Sequence, residues 1–136
     1  MERPIRGFDY RAAAGLFDSK AVVAAKTIGA SHLLSGPLPL YDIDFTMGEG
    51  ITSFDRTLEF TARRDGVLHG FAGTWSARLH DDVDLMCEPG GRPVHWPPLF
   101  FPLPGGIPAR AGDRIVLSFG KQARAGWHWK WSARIA

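Results

Sequence analysis

The 136-residue sequence contains a single cysteine, Cys87. That excludes an internal disulfide and any zinc site built on several thiolates, and it makes a reducing, cytoplasmic setting the expectation. No apolar run approaches the roughly 20 residues a membrane-spanning helix needs. Met1-Glu2-Arg3-Pro4-Ile5-Arg6 is followed by no apolar core, so neither membrane association nor a secretory leader is expected. Charge of one sign is also scarce: 16 Lys and Arg against 14 Asp and Glu leave a formal net charge of +2. The isoelectric point is near 9.0, but so small an excess is no basic stripe, and nucleic acid is not expected as a partner. GxxxxGK[ST], GxGxxG and GxSxG are all missing. No phosphate cradle, dinucleotide turn or nucleophile elbow is therefore written here.

What is abundant is turn chemistry, with 16 glycines and 10 prolines. Turns should be frequent and long helices few. Residues 11–28 hold the Ala-rich exception, with Ala12-Ala13-Ala14, Leu16-Phe17 and Ala21-Val22-Val23-Ala24-Ala25. They read as two short helices, the second capped by Ser19, starting near Lys20 and closed by Gly29. Beyond Gly29 the apolar period switches to two. Tyr41, Ile43 and Phe45 share one face, and Phe54, Leu58, Phe60 and Ala62 share another. Arg63-Arg64-Asp65-Gly66 reads as a hairpin turn. Alternation resumes over 67–79, in the short run Val83 and Leu85, at Ile115, Leu117 and Phe119, and at Trp127, Trp129, Trp131, Ala133 and Ile135. Residues 99–103 form a short apolar run. The expected fold is mainly β, an antiparallel β-barrel or sandwich with a short N-terminal helical arm, in one domain over residues 1–136.

Candidate chemistry is sparse. His32, His69, His80, His95 and His128 include no pair at HxH, HxxxH or HExxH spacing, so no metal site has local support. His69, in phase with Phe71 and Trp75, reads as an interior barrel histidine. Cys87 precedes Glu88-Pro89-Gly90-Gly91 with no neighbour that would lower its pKa, and reads as a buried structural thiol. The stripe Trp127, Trp129 and Trp131 is either a core wall or a stacking platform for sugars or bases. The wall is the expectation, because Leu117 and Phe119 need apolar surface beside them. Residues 88–106 are the most unusual stretch: prolines stiffen a segment that sets His95 and Trp96 side by side.

Gly70-Phe71-Ala72-Gly73-Thr74-Trp75, Leu85, Glu88-Pro89, Val94-His95-Trp96, Leu99-Phe100-Phe101-Pro102-Leu103 and Arg110-Ala111-Gly112-Asp113 follow one another in an order that resembles the protein arginine methyltransferases. Upstream, Gly7-Phe8-Asp9-Tyr10 is similar to the Gly-Phe-Asp that opens the family's dimerisation arm. The resemblance runs from about Ile5 to the end of the chain. It implies the family's C-terminal β-barrel, with residues 7–30 as a candidate helical dimerisation arm and a homodimer as the assembly. It also implies that S-adenosylmethionine belongs to a separate catalytic domain, since nothing here matches the family's Gly-rich cofactor loop or its catalytic glutamates. No catalytic residue and no cofactor are assigned to this chain, and whether it has activity of its own is left open. Two positions carry over. His95 matches the histidine that pairs with an acidic residue of the catalytic domain, and Trp96 the tryptophan that helps wall the substrate arginine channel. Val94 stands where the family usually has Thr, and Pro97-Pro98 replaces its usual polar pair. The run through Phe100-Phe101-Pro102 is closer to the symmetric-dimethylating branch or to bacterial relatives.

The expected role is a non-catalytic substrate-binding and dimerisation module, partnered by an S-adenosylmethionine-binding methyltransferase domain and a protein substrate. One rival is a stand-alone β-barrel that binds oligosaccharide or single-stranded nucleic acid through exposed tryptophans. Another is a hydrolytic or metal-dependent enzyme built on the scattered histidines.

Overall fold

β-branched and aromatic residues alternating with polar ones favour extended chain, because each pleat then buries one face. The computed structural model describes residues 20–23, 28–48, 53–92, 94–122 and 128–136. Of these, 55% are in strands and 6% in helical turns. The strands are β1 (Val22–Val23), β2 (Phe54–Thr61), β3 (Gly66–Gly73), β4 (Trp75–His80), β5 (Val83–Cys87), β6 (Leu99–Ala109), β7 (Arg114–Gln122) and β8 (His128–Ile135). Single 3-10 turns occupy Ala30–His32 and Phe45–Met47. Three sheets result, ordered β1-β6-β3, β2-β7-β8 and β4-β5. The mainly antiparallel β class is as expected, but among the described residues the ladders end without joining, so no closed barrel forms. The chain divides into two compact units, residues 1–31 with 69–104 and residues 32–68 with 105–136.

In the second unit, β7 is the middle strand. Its register sets Phe60, Ile115 and Ile135 in one row and Leu58, Leu117 and Ala133 in the next. Ile115 is 1% exposed, and Leu117 and Phe119 are 4% exposed. The opposite residues of β2, Asp55, Thr57, Glu59 and Thr61, are exposed. Trp129 and Trp131 are half-buried, and Trp129 lies 5.5 Å from Phe119 and 6.2 Å from Phe54 between ring centroids. Those two tryptophans are core wall, as the neighbouring strand required; Trp127 lies outside the described residues.

The turn at residues 63–65 does not make a hairpin. β2 pairs with β7, and β3 lies beside β6. The chain changes sheets there, and the change is tied to the turn before β7: the Gly112 N–H donates to the Ala62 carbonyl at 2.8 Å, and the Ala111 N–H to Asp65 Oδ1 at 2.8 Å. Gly112 sits at φ 90°, where a side chain would be strained. The strand expected at Tyr41, Ile43 and Phe45 is absent too. Asp44 Oδ1 accepts from the Thr46 N–H at 2.8 Å and from its hydroxyl at 2.6 Å, which holds a 3-10 turn instead. A short-range carboxylate cap outcompetes a weak alternation. The same two hydrogen bonds hold the Asp44 carboxyl below its usual range.

In the first unit, β1 pairs with β6 at Val22↔Phe100 and Val23↔Leu99. Val22 and Val23 therefore belong to a strand where a helix was expected: two β-branched residues in a row prefer the ladder. Most of the expected arm, residues 7–19 and 24–27, lies outside the described residues. β6 runs on through Pro102, Pro104 and Pro108, beyond the stretch that β1 reaches. Gly70 allows β3 its close approach to β6, since a Cβ there would meet the Phe101 carbonyl oxygen and the Phe100 ring. β4 and β5 form a two-stranded hairpin in which Leu79, Val83, Leu85 and Met86 are exposed.

Candidate functional site

The segment between β5 and β6 carries the two residues singled out by sequence. Val94 and Pro97 are half-buried and Pro98 is buried, whereas His95 is exposed and Trp96 is 66% exposed. An indole this open keeps a large amphipathic surface available to a partner.

Trp96 is nonetheless held. The indole N–H of Trp75, at the start of β4, donates to the Trp96 carbonyl at 3.0 Å. The two indoles meet edge-on, 6.2 Å apart at 65°. The His95 ring lies 5.6 Å from Trp96 at 72°. Such edge contacts contribute about 0.5–1.5 kcal/mol each, and the hydrogen bond a similar amount. Trp75 in turn sits opposite Cys87 in the β4–β5 register. Cys87 is 2% exposed. Burial pushes its thiol pKa up, and the Trp75 backbone N–H only partly offsets this, so Cys87 stays protonated and is a poor nucleophile, consistent with a structural thiol. The part played by Trp75 was not read from the sequence. The available signal was a strand tryptophan whose N–H needs an acceptor once half-buried.

The arrangement is three aromatic rings and a fixed carbonyl, with no nucleophile among them. An aromatic ring of this kind can attract a cation through its face, a contact worth about 0.5–2 kcal/mol in general.

The other sequence candidates are not drawn to this place. His32, His69, His80 and His128 are exposed. His69 is thus not interior: in β3 it is Leu68, at 7% exposed, that takes the covered side. Among the described residues no group of three or more His, Cys, Asp or Glu comes together to hold a metal ion. No helix there is long and apolar enough to cross a membrane. The second unit has a shallow concavity of about 420 Å³ on the outer face of β2-β7-β8, lined by Asp55, Thr57, Ser118, Gly120, Lys130 and Ser132 among others. It is polar and open, and offers a ligand little desolvation.

No family model matches the chain. Among individual proteins it is similar to protein arginine N-methyltransferase 5 of Xenopus laevis, with 33% identity over 93 residues. The aligned stretch covers 65% of this chain and 15% of that protein. The chain thus spans a small part of the length of the curated relative it matches, and the likeness points to a relationship with the protein arginine methyltransferases.

Proposed function

We propose that this chain is a non-catalytic, β-rich part of a protein arginine methyltransferase-like enzyme, in which Trp96 and His95 border the path of a substrate guanidinium. The observation that carries this is Trp96 itself: a 66% exposed indole whose backbone is nevertheless fixed. An exposed aromatic costs least where a partner covers it, and a cation–π surface suits an arginine side chain. The 33% identity to an arginine methyltransferase supports the choice of substrate class.

The described residues offer no cradle that fits S-adenosylmethionine. Nucleotide-like cofactors are held where a parallel strand passes through a Gly-rich turn into a helix N-terminus. Among the described residues the ladders with an assigned register are antiparallel and the helical segments are two single 3-10 turns. In this reading cofactor binding falls to a separate domain, and no methyl-transfer step is placed on this chain.

Two measurements test the reading. S-adenosylmethionine titrated into the 136-residue chain should give no binding heat, and an immunoblot of source cells should show a band well above 14.9 kDa. Micromolar binding by this chain alone would overturn the division of labour. A band at 14.9 kDa with no co-purifying arginine methyltransferase activity would overturn the assignment altogether.

A further inference from the structure

We infer that Trp75 is a positioning residue for Trp96: its indole N–H, and not its bulk alone, fixes where the Trp96 ring stands. The inference deepens the reading above and rests on it for the ligand, a guanidinium. Three observations converge. The Trp75 N–H donates to the Trp96 carbonyl at 3.0 Å across 21 residues of sequence. The two ring centroids lie 6.2 Å apart in an edge-on arrangement, so one side chain restrains both the backbone and the indole of its partner. Trp75 is itself anchored, being half-buried on a strand that pairs with β5 at the buried Cys87. The segment between β5 and β6 has no ladder of its own at 94–98. A side-chain donor reaching in from a neighbouring strand therefore substitutes for missing backbone pairing. Trp75 is assigned no contact with the guanidinium; it acts through Trp96.

The test separates the N–H from the ring. Trp75→Phe keeps an aromatic side chain and removes the donor. In the 136-residue chain, faster backbone motion by nitrogen relaxation is expected at His95 and Trp96, with β2, β7 and β8 unchanged. N-methylguanidine, titrated while the Trp96 indole resonance is followed, should bind the parent chain and bind Trp75→Phe about 2- to 12-fold more weakly, the range a single neutral hydrogen bond allows. Should Trp75→Phe not fold, hydrogen exchange at the Trp75 indole N–H of the parent chain decides: slow exchange supports the clamp, and exchange at the free-indole rate overturns it. Unchanged relaxation at residues 95 and 96 in a folded Trp75→Phe chain would also overturn it. If the loop loosens but N-methylguanidine never perturbs Trp96, the clamp stands and the guanidinium reading falls.

Discussion

The β2-β7-β8 sheet and the β4–β5 hairpin are written in the same alternating code, yet one is sealed and the other is open. In the sheet, every inward residue of β7 finds a row-mate on both sides, and Ile115 ends at 1% exposed. In the hairpin, Ala77 faces Leu85 and Trp75 faces Cys87, but only Cys87 is buried, while Leu79 remains 63% exposed and Leu85 39%. Alternation selects an extended chain. Whether the apolar side is covered depends on a third strand, and an isolated two-stranded ribbon is marginal in water. The open region is also where the exposed Trp96 is tethered, through the Trp75 indole N–H.

The sharpest break of this contrast is a paired truncation. Ile115→Ala should cost about 2–5 kcal/mol by urea denaturation, whereas Leu85→Ala should cost no more than about 1 kcal/mol. Equal losses would mean that the hairpin is as well packed as the sheet. Next in size is the turn that ties β2 to β7. Gly112→Ala, at φ 90° in open space, should lose about 1–3 kcal/mol through backbone strain alone. A neutral result would show that the turn can relax without its glycine.

Cys87 sharpens the comparison from the hairpin's side, as its one fully covered residue. Burial raises its folded-state pKa above the unfolded value, so its contribution is fully present below the ordinary thiol range and is lost as pH rises through the raised value. Between pH 8 and 10.5 the parent chain should lose stability faster than Cys87→Ser. Parallel curves would mean that water reaches the thiol. The smallest expected effect is local. Asp44→Ala should speed amide exchange at Thr46 without changing global stability, and Asp44→Asn should spare it. Because the carboxyl is held low, the turn keeps its cap above the ordinary carboxylate range and loses it as pH falls through the lowered value. Slow exchange at Thr46 in Asp44→Ala would deny the cap any role.

Much of the fold was legible where period and chemistry agreed. Phe54, Leu58, Phe60 and Ala62 turn inward as their spacing implies, and so do Trp129 and Trp131. Legibility failed where a local rule had a non-local competitor. Asp65-Gly66 has the composition of a hairpin turn, yet Asp65 spends its carboxylate on the Ala111 N–H, 46 residues away, and the strands either side join different sheets. Val22 and Val23 sit in an Ala-rich stretch but pair with β6, a partner no window of adjacent residues reveals. At the candidate site, His95 and Trp96 were visible as a stiff, Pro-flanked pair. Trp75 was not, because a hydrogen bond from one strand to a loop 21 residues on leaves no periodic trace.

The sequence by itself determined a mainly β chain, a lone thiol with no activating neighbour and a histidine and tryptophan set side by side in a proline-rich stretch. Those follow from side-chain period, from isolation of the single cysteine and from the fixed backbone of proline. Only the tertiary structure decided which strands share a sheet, which apolar faces are covered and what holds Trp96 in place. Each of these depends on a hydrogen bond or a contact between residues far apart in the chain, and pairing of that kind is set by which partner completes the ladder, not by the residues nearby.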